Sequence, residues 1–321
     1  MIVSIGLLLL GFVFLIKGAD VMVEDSSSIA KKLKVSDLVI GLTIVAFGTS
    51  APELVVGVIS AVNGNTDIAI GNVLGSTIAN TLLILGVASI IHPLQVHKNT
   101  VWKEIPFSLL AVVLLAIMAN DSLIDGLSFS SLTRADGLSL LAFFAIFLYY
   151  TFGIAKESPG EMEPEEEIVE RSLPVSLGMI VLGIGALVLG GNWVVTNAVS
   201  IATTLGMSES LVGFTIVAVG TSLPELVTSA VAASKGNTDI AIGNVIGSNI
   251  FNVFWILGVT SLIAPLPFDP SANMDIIVAV LATLALFLDL FVGKRHQLER
   301  WQGAIFVVAY VVYIGGLIIR G

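Results

Sequence analysis

The amino-acid sequence contains an internal repeat that needs no gap to align. Residues 48–80 and 220–252 are identical at 22 of 33 positions, at an offset of 172. The first copy carries G-T-S-A-P-E and the second G-T-S-L-P-E, each inside a long apolar run. Weaker matches at the same offset, such as Gly18 with Gly190, extend the relationship in both directions. The chain is therefore built from two related halves, and its fold must be one that both halves can form together.

The composition is that of a membrane protein. Hydrophobic residues make up 56% of the 321 residues and charged residues only 12%, whereas soluble domains carry about 25% charged residues. Apolar runs near the ~20 residues that a helix needs to cross a bilayer occur ten times. We expect an all-α integral membrane protein with ten transmembrane helices, at residues 2–23, 37–62, 67–91, 104–120, 135–155, 174–195, 209–233, 239–264, 274–293 and 300–319.

Each half contributes five predicted spans, and because five is odd the two halves should cross the membrane in opposite senses. The predicted organisation is an N-terminal repeat (1–155), an acidic linker (156–173) and a C-terminal repeat (174–321). Two inverted five-helix repeats are typical of secondary transporters, whose binding site lies near the bilayer midplane where the repeats meet. A relic of duplication in a structural membrane protein would explain similar hydropathy, but not the identity of the polar residues.

Lysine and arginine are distributed unevenly between the two sides of the predicted membrane. Eleven lie in the loops that follow odd-numbered spans, and only Arg134 and Arg320 lie on the opposite side. The positive-inside rule then predicts extracellular termini and a cytoplasmic linker in the cell (plasma or inner) membrane. We expect the first apolar run to be a retained span, because it has neither a basic n-region nor a small-residue cleavage site.

Each G-T-S-x-P-E motif should break its helix at membrane depth, with the helix unwound around the three residues G-T-S. Pro52 and Pro224 lack an N–H group and displace the carbonyl four residues back. Irregular backbone at this depth is tolerated only where it faces protein or a wet cavity. The oxygen-bearing side chains that would converge at the two breaks are Thr49, Ser50, Glu53, Thr221, Ser222 and Glu225. Hard oxygen donors of this kind suit Na⁺ and Ca²⁺.

The span after each break carries a polar stripe with a spacing of four residues, which places its members on one helix face. The stripe comprises Asn72, Ser76 and Asn80 in the first half and Asn244, Ser248 and Asn252 in the second. Hydrogen bonding between helices is the simpler explanation of such a stripe. Beside two intramembrane glutamates, we interpret it as the wall of a polar cavity.

The other acidic residues have structural roles in this interpretation. Asp289 is expected to pair with Lys294 and Arg295, and Asp20 is left unassigned. The glutamate-rich linker is expected to be a solvated connection, because it lacks the D-x-D-x-D-G spacing of a calcium loop. The residues expected to cap helix N-termini are Asp37, Asp67, Glu209 and Asp239.

Several function classes are disfavoured by what the sequence lacks. There is no cysteine, and the three histidines are scattered near span ends, so a thiolate or histidine metal site is not expected. No basic patch is present, so no nucleic-acid partner is expected. The sequence has no phosphate-binding loop and no hydrolase motif, so neither a nucleotide nor an enzymatic activity is expected.

The paired segments GTSAPE…GNVLGSTIAN and GTSLPE…GNVIGSNIFN resemble the two alpha-repeats of the cation/calcium antiporter superfamily, especially its sodium/calcium exchanger branch. The resemblance covers the whole chain, which looks like a prokaryotic member of this branch. The alpha-repeats would span residues 35–92 and 207–264. The resemblance implies four cation sites between helices 2, 3, 7 and 8, transported Ca²⁺ and Na⁺, no tightly bound cofactor, and helices 1 and 6 sliding across this core.

The resemblance also implies a set of ligands. Glu53 and Glu225 would be the carboxylates shared by Ca²⁺ and Na⁺, and the carbonyls of Ala46 and Ala218 would serve the flanking sodium sites. The remaining implied ligands are Thr49, Ser50, Thr221, Ser222, Ser76, Ser248, Asn80 and Asn252. Some members carry aspartate at the position of Asn252, so the stoichiometry and any K⁺ dependence stay open, as does the oligomeric state.

The predicted function is therefore Na⁺/Ca²⁺ antiport by alternating access at a mid-membrane site. A Ca²⁺/H⁺ antiporter, or a K⁺-dependent exchanger, using the same glutamates is the alternative. A passive cation channel or a non-transporting membrane scaffold is a third possibility, and neither of them requires inverted repeats with duplicated glutamates.

Overall fold

The computed structural model describes residues 2–64, 66–157, 171–205 and 218–320. Most of the predicted acidic linker lies outside these ranges, as does the start of the seventh predicted span with Glu209. The described α-helices are α1 (Ile2–Leu33), α2 (Asp37–Ile40), α3 (Ala46–Thr49), α4 (Ala51–Val62), α5 (Thr66–Ile78), α6 (Leu85–Ile91), α7 (Lys98–Trp102), α8 (Glu104–Met118), α9 (Asp121–Ile124), α10 (Arg134–Glu157), α11 (Leu173–Thr204), α12 (Ala218–Gly220), α13 (Leu223–Ser234), α14 (Thr238–Ile250), α15 (Gly258–Ile263), α16 (Asn273–Asp289) and α17 (Arg300–Arg320).

Short segments of other secondary structure connect these helices. Three described π-helical segments, π1 (Gly41–Val45), π2 (Ala79–Ile84) and π3 (Phe251–Leu257), join consecutive α-helices end to end, and a 3₁₀ turn covers Pro270–Ala272. Four two-residue strands, β1 (Leu94–Gln95), β2 (Ser131–Leu132), β3 (Leu266–Pro267) and β4 (Gln297–Leu298), form the antiparallel pairs β1–β4 and β2–β3.

Eight helical segments of the described chain are long and apolar enough to span a membrane. A ninth, Asp37–Thr49 with Ala51–Val62, is bent by 46° at its break. The predicted ten spans are thus matched by eight or nine, because the seventh predicted span begins among residues outside the description. In the Thr238–Ile263 segment 94% of the apolar window is buried inside the protein, and in Ile68–Ile91 72%. These two segments, which carry the polar stripes, form the centre of the fold.

α1 and α11 lie side by side and run in opposite directions. A Cβ atom added to Gly11 would lie 2.8 Å from the carbonyl oxygen of Gly190, and one added to Gly18 would lie 2.8 Å from that of Gly183. In the internal repeat, Gly11 corresponds to Gly183 and Gly18 to Gly190. The contact between Gly11 and Gly190 therefore corresponds to the contact between Gly183 and Gly18 when the halves are exchanged. A two-fold relationship between the halves requires this correspondence. Glycine is needed here because the two backbones touch.

α1 continues ten residues beyond the predicted span end, to Leu33. This extension carries Asp25, which is 1% exposed and forms an ion pair with Arg171, the residue that precedes α11 by two positions. The Arg171 backbone N–H also donates to Ser28 Oγ at 3.3 Å. The extension is helical because its polar residues find partners in other segments of the protein, which hydropathy alone does not reveal.

Contacts between loops divide them into two groups. The loop after α1 contacts the loop between α13 and α14, where Asn237 Nδ2 donates to Asp37 Oδ2 at 2.6 Å. Asp239 in turn pairs with His97, at 3.2 Å, in the loop that carries β1. Strand pair β1–β4 joins that loop to the one before α17, whereas β2–β3 joins two other loops. The first group contains the loops in which the sequence concentrates its lysines and arginines.

Several predictions about acidic residues need correction. Ser36, not Asp37, caps α2, with Val39 N–H donating to its Oγ at 3.4 Å, and Asn237, not Asp239, caps α14. The cap lies one position before the predicted residue in α2 and two positions before it in α14, because the capping residue is the one whose backbone has left the helical conformation. The side chain of Asp67 and all of Glu209 lie outside the description.

The structure also decides the ion pairing of two acidic residues, Asp20 and Asp289. The unassigned Asp20 pairs with Lys17 at 3.6 Å and with Lys235 at 3.2 Å. Partial burial alone would lower the pKa of Lys235, but hydrogen bonds to Glu24 and Asp20 outweigh it and raise the pKa above its usual value. Asp289 does not pair with the two exposed basic residues that follow it, because the chain turns away through Gly293, at φ +74°.

Candidate functional site

Both G-T-S-x-P-E motifs break their helices just before the residue that precedes the proline, at Ser50 alone in the first half and at Thr221 and Ser222 in the second. α3 ends at Thr49 and α4 begins at Ala51, so the break occupies Ser50 alone, at φ −82° and ψ 8°. Ser222 has nearly the same backbone conformation, φ −87° and ψ 7°, before α13. In both cases the proline stands in the first turn of the new helix, where its missing N–H has no intrahelical partner anyway. The break is therefore tighter than the unwinding predicted around G-T-S.

The two glutamates lie in the first turn of the helices that follow the breaks. Glu53 is 0% exposed and Glu225 is 1% exposed. Ser76 Oγ donates to Glu53 Oε1 at 3.4 Å, and Ser50 Oγ donates to Glu225 Oε1 at 3.0 Å. A helix N-terminus stabilises negative charge, yet within the described residues no lysine, arginine or histidine pairs with either carboxylate. Two carboxyl groups are thus buried in one polar cluster without a basic partner among the described residues.

The threonines of the motifs bridge the two halves in a symmetric manner. Thr49 Oγ1 donates to Asn244 Oδ1 at 3.0 Å, and Thr221 Oγ1 donates to Asn72 Oδ1 at 3.3 Å. Each threonine thereby reaches the polar stripe of the opposite half, and the two contacts correspond to each other in the internal repeat. Ser222 Oγ adds a further bond across the halves, at 3.2 Å from Ser76 Oγ.

The last residue of each polar stripe, Asn80 or Asn252, lies where the α-helix changes to a π-helix. Asn80 and Asn252 are each the second residue of a π-helical segment, π2 and π3. π-helical turns inside α-helices frequently occur at functional sites, and no pattern in the sequence announces them. Both asparagines are 1% exposed and Ser248 is 0% exposed.

Some polar atoms of this cluster are buried without a hydrogen-bond partner among the described residues. They are Glu53 Oε2, Glu225 Oε2, Asn72 Nδ2, Asn80 Oδ1, Ser248 Oγ, Asn252 Oδ1 and Asn252 Nδ2. A buried polar group without a partner costs about 1–3 kcal/mol, so a concentration of such atoms in one place is informative. Five of the seven atoms are oxygens, which is the ligand chemistry that a hard cation requires.

The two predicted carbonyl ligands, Ala46 and Ala218, lie in the helices that precede the breaks. The Ala46 carbonyl accepts from Ser50 N–H at 3.0 Å and from Thr49 Oγ1 at 3.3 Å. Both of its lone pairs are therefore engaged within the helix in this conformation. Ala218 begins α12, directly before the second motif, and only its backbone is described.

Sequence reasoning missed Asn249 and Ser229, which belong to this cluster. Asn249 is 1% exposed and links Asn80 to Thr81 by hydrogen bonds. Asn244 Nδ2 also donates to Ser229 Oγ at 2.9 Å, which ties the stripe to α13. A signal for Asn249 was present, because it is a polar residue that interrupts the identity of the two repeats.

Comparison with known proteins agrees with this geometry. The family model for the sodium/calcium exchanger protein matches residues 3–153 and 175–319. The chain belongs to the sodium/calcium exchanger family.

Individual relatives cover the chain almost completely. Sodium/calcium exchanger MaX1 of Methanosarcina acetivorans is 33% identical over 96% of both chains. Inner membrane protein YrbG of Escherichia coli is 33% identical, over 99% of this chain and 97% of its own. The solved structure of the sodium-calcium exchanger NCX_Mj, soaked with Na⁺ and Ca²⁺, superimposes with a TM-score of 0.83 at 36% identity and 99% coverage of both chains.

Membership of this exchanger family fixes the general activity. The chain is an integral, multi-pass membrane protein and a cation/Ca²⁺ antiporter. The family is one of transporters and not of enzymes. The buried cluster of two carboxylates and neutral oxygens is the part of the fold whose chemistry suits this activity.

Proposed function

We propose that this exchanger moves Ca²⁺ in one direction and Na⁺ in the other, and that both ions bind at Glu53 and Glu225. The observation that carries the proposal is the burial of these two carboxylates in one polar cluster, with no lysine, arginine or histidine paired to either among the described residues. Two uncompensated charges at this depth are costly, and a bound cation removes the cost. Since either Ca²⁺ or Na⁺ can do so, their binding is competitive.

The other proposed ligands surround the carboxylates. Hydroxyl or carbonyl oxygens come from the two breaks, at Thr49, Ser50, Thr221 and Ser222, and carbonyl oxygens from Ala46 and Ala218. Ser76, Ser248, Asn80 and Asn252 complete the set. In the structure the Ala46 carbonyl is engaged by two donors, so its binding of Na⁺ requires the Thr49 hydroxyl to turn away. Two carboxylates balance one Ca²⁺ or two Na⁺ ions.

Alternating access is proposed to use the inverted arrangement of the two five-helix repeats, 1–155 and 174–321, joined by the acidic linker 156–173. The antiparallel packing of α1 against α11, with its exchanged glycine contacts, supports the inversion. The backbones of these two helices touch at Gly11, Gly18, Gly183 and Gly190. We therefore expect α1 and α11 to slide together across the central helices.

The proposed orientation places both termini outside the cell and the linker in the cytoplasm. Its support is the agreement between two independent observations. Lysines and arginines are concentrated in one set of loops, and described loops of that set contact one another through Asp37–Asn237, His97–Asp239 and the β1–β4 pair. Loops of one set must lie on one side of the membrane.

The test is ⁴⁵Ca²⁺ uptake into proteoliposomes with an imposed Na⁺, K⁺ or H⁺ gradient, one at a time. We expect uptake with the Na⁺ gradient, and a loss of at least about 100-fold in Glu53→Gln and Glu225→Gln, since removing one partner of a buried charge pair costs about 3–5 kcal/mol. Glu104→Gln is the matched control, because Glu104 is equally buried but pairs with Tyr150, outside the site. Normal exchange in both site variants would refute the proposal.

A Ca²⁺/H⁺ antiporter is the second candidate, and the same observation favours it. A proton neutralises a buried carboxylate as a metal ion does, and neither glutamate has a basic partner among the described residues. The hydroxyl groups at both breaks favour Na⁺, because protonation of a carboxylate needs no further oxygen ligands. Uptake driven by a pH gradient in Na⁺-free buffer would decide for H⁺.

A further inference from the structure

Asn249 occupies a buried position between the two halves, next to the proposed ligand Ser248. Its side chain makes two hydrogen bonds to the opposite half. Asn80 Nδ2 donates to Asn249 Oδ1 at 3.1 Å, and Asn249 Nδ2 donates to Thr81 Oγ1 at 3.0 Å. All three side chains are 1% exposed, so water does not compete for these bonds.

The donor and the acceptor of each hydrogen bond can be assigned by starting from Thr81, the last side chain of this series. Thr81 Oγ1 donates its hydrogen to the carbonyl oxygen of Thr77, at 3.0 Å, and can therefore only accept from Asn249. An amide that faces an acceptor must present its NH₂ group, which turns Asn249 Oδ1 toward Asn80. Asn80 must then present its own NH₂ group to Asn249. The remaining atom, Asn80 Oδ1, accepts no hydrogen bond from the described residues.

We propose that Asn249 is a positioning residue that holds Asn80 with its amide oxygen, and not its NH₂ group, toward the transported cation. This inference rests on the proposed function, in which Asn80 is a ligand. Amide oxygens are regular Ca²⁺ ligands, whereas an NH₂ group in the same place repels a cation. Partners that orient a metal ligand typically contribute about 10- to 100-fold in metal affinity.

The second half has no equivalent of this arrangement. In the internal repeat, Thr77 is equivalent to Asn249, and Val253 is equivalent to Thr81. Thr77 Oγ1 donates to the carbonyl oxygen of Val73, at 2.8 Å, and valine has no polar side-chain atom. Accordingly, neither polar atom of Asn252 has a partner among the described residues. Asn80 is a fixed ligand, and Asn252 is free to turn either end toward the site.

The first test compares Thr81→Val with Thr81→Ser in ⁴⁵Ca²⁺ uptake, with KM and maximal rate measured separately. Valine has the shape of threonine but removes the acceptor that orients Asn249, whereas serine keeps it. We expect Thr81→Val to raise the KM for Ca²⁺ about 10-fold with little change in maximal rate, and Thr81→Ser to behave as the wild type. Thr283→Val is the matched control, because Thr283 is 0% exposed and its hydroxyl also bonds the carbonyl four residues back, at 2.9 Å.

The second test is a double-mutant cycle between Asn249→Ala and Asn80→Ala. If Asn249 acts through Asn80, Asn249→Ala raises KM in the wild-type background and has no further effect beside Asn80→Ala. An equal increase in both backgrounds overturns the proposal, because Asn249 would then act on the fold alone. Should Asn249→Ala fail to fold, the Thr81 pair decides. An unchanged KM in Thr81→Val overturns this inference but leaves the proposed function standing, whereas normal exchange in both Glu53→Gln and Glu225→Gln overturns the proposed function itself.

Discussion

The close contact of α1 with α11 can be tested at Gly190. A Cβ atom at this position would lie 2.7 Å from the Gly11 carbonyl oxygen and 2.9 Å from the Leu15 backbone nitrogen. Ordinary contact begins near 3.4 Å, so Gly190→Ala requires the two backbones to separate locally by about 0.7 Å. Neither obstacle is a flexible side chain that could turn away. Overpacking of this kind typically costs about 1–3 kcal/mol.

Gly185 provides a control on the same helix. A Cβ atom there meets nothing within 4 Å in the described structure, and the residue is exposed to the lipid side. Gly185→Ala should therefore stabilise the protein by about 0.5–1 kcal/mol, because alanine loses less backbone entropy in a helix. The two substitutions add the same methyl group to the same helix, and the structure gives them opposite signs.

The assay is thermal unfolding in detergent, followed by tryptophan fluorescence. Trp193 lies in the same interface, with its ring centroid 5.2 Å from that of Phe14, and reports on separation of the helices. In domains of about 150–250 residues, 1 kcal/mol shifts the Tm by about 2–4 °C. We expect a Tm several degrees lower for Gly190→Ala and an equal or higher Tm for Gly185→Ala. Equal shifts of the same sign would show that α1 and α11 do not touch as described.

Three further substitutions probe polar contacts outside the site. Arg171→Ala leaves the buried carboxylate of Asp25 without its ion pair and should lower the free energy of unfolding by about 3–5 kcal/mol, measured by denaturant titration. Tyr150→Phe removes the hydroxyl that donates to Glu104 and should cost about 1–3 kcal/mol in the same titration, with Ca²⁺ uptake retained. Lys235→Asn removes partly exposed ion pairs and should cost less than about 1 kcal/mol, an effect that disappears in 1 M salt. A cost that persists in high salt would contradict the last assignment.

The repeated residues are the part of the proposed site that depends least on contacts between distant segments. Two identical motifs in an apolar chain have few arrangements that bury both carboxylates, and the structure brings Glu53 and Glu225 into one buried cluster. Proline fixes the place of each break through the chemistry of a single residue, so its prediction needs no tertiary information. The sequence predicts a break over three residues, whereas the first half bends at Ser50 alone. The length of the break depends on how the helices pack, and packing cannot be read from the motif.

What the sequence did not predict depends on contacts between distant segments. The end of α1 was placed ten residues too early, because its buried serines and Asp25 look like a loop until Arg171 is found beside them. The pairing of Asp289 with its basic neighbours was wrong, since proximity in sequence says nothing about the turn at Gly293. π2 and π3 were not predicted, because the same residues suit an ordinary α-helix and only the packing selects the wider turn.

The two halves differ where their differences can affect function. The proposed glutamate and hydroxyl ligands are duplicated, so each half offers the same carboxylate and hydroxyls. Some residues around them are not duplicated, since Asn249 stands where the first half has Thr77, and Lys235 stands where it has Asn63. If the halves exchange conformations during transport, identical residues contribute equally to both states and cannot favour either. Any difference in free energy between the inward- and outward-facing states must therefore come from the positions at which the repeat is broken.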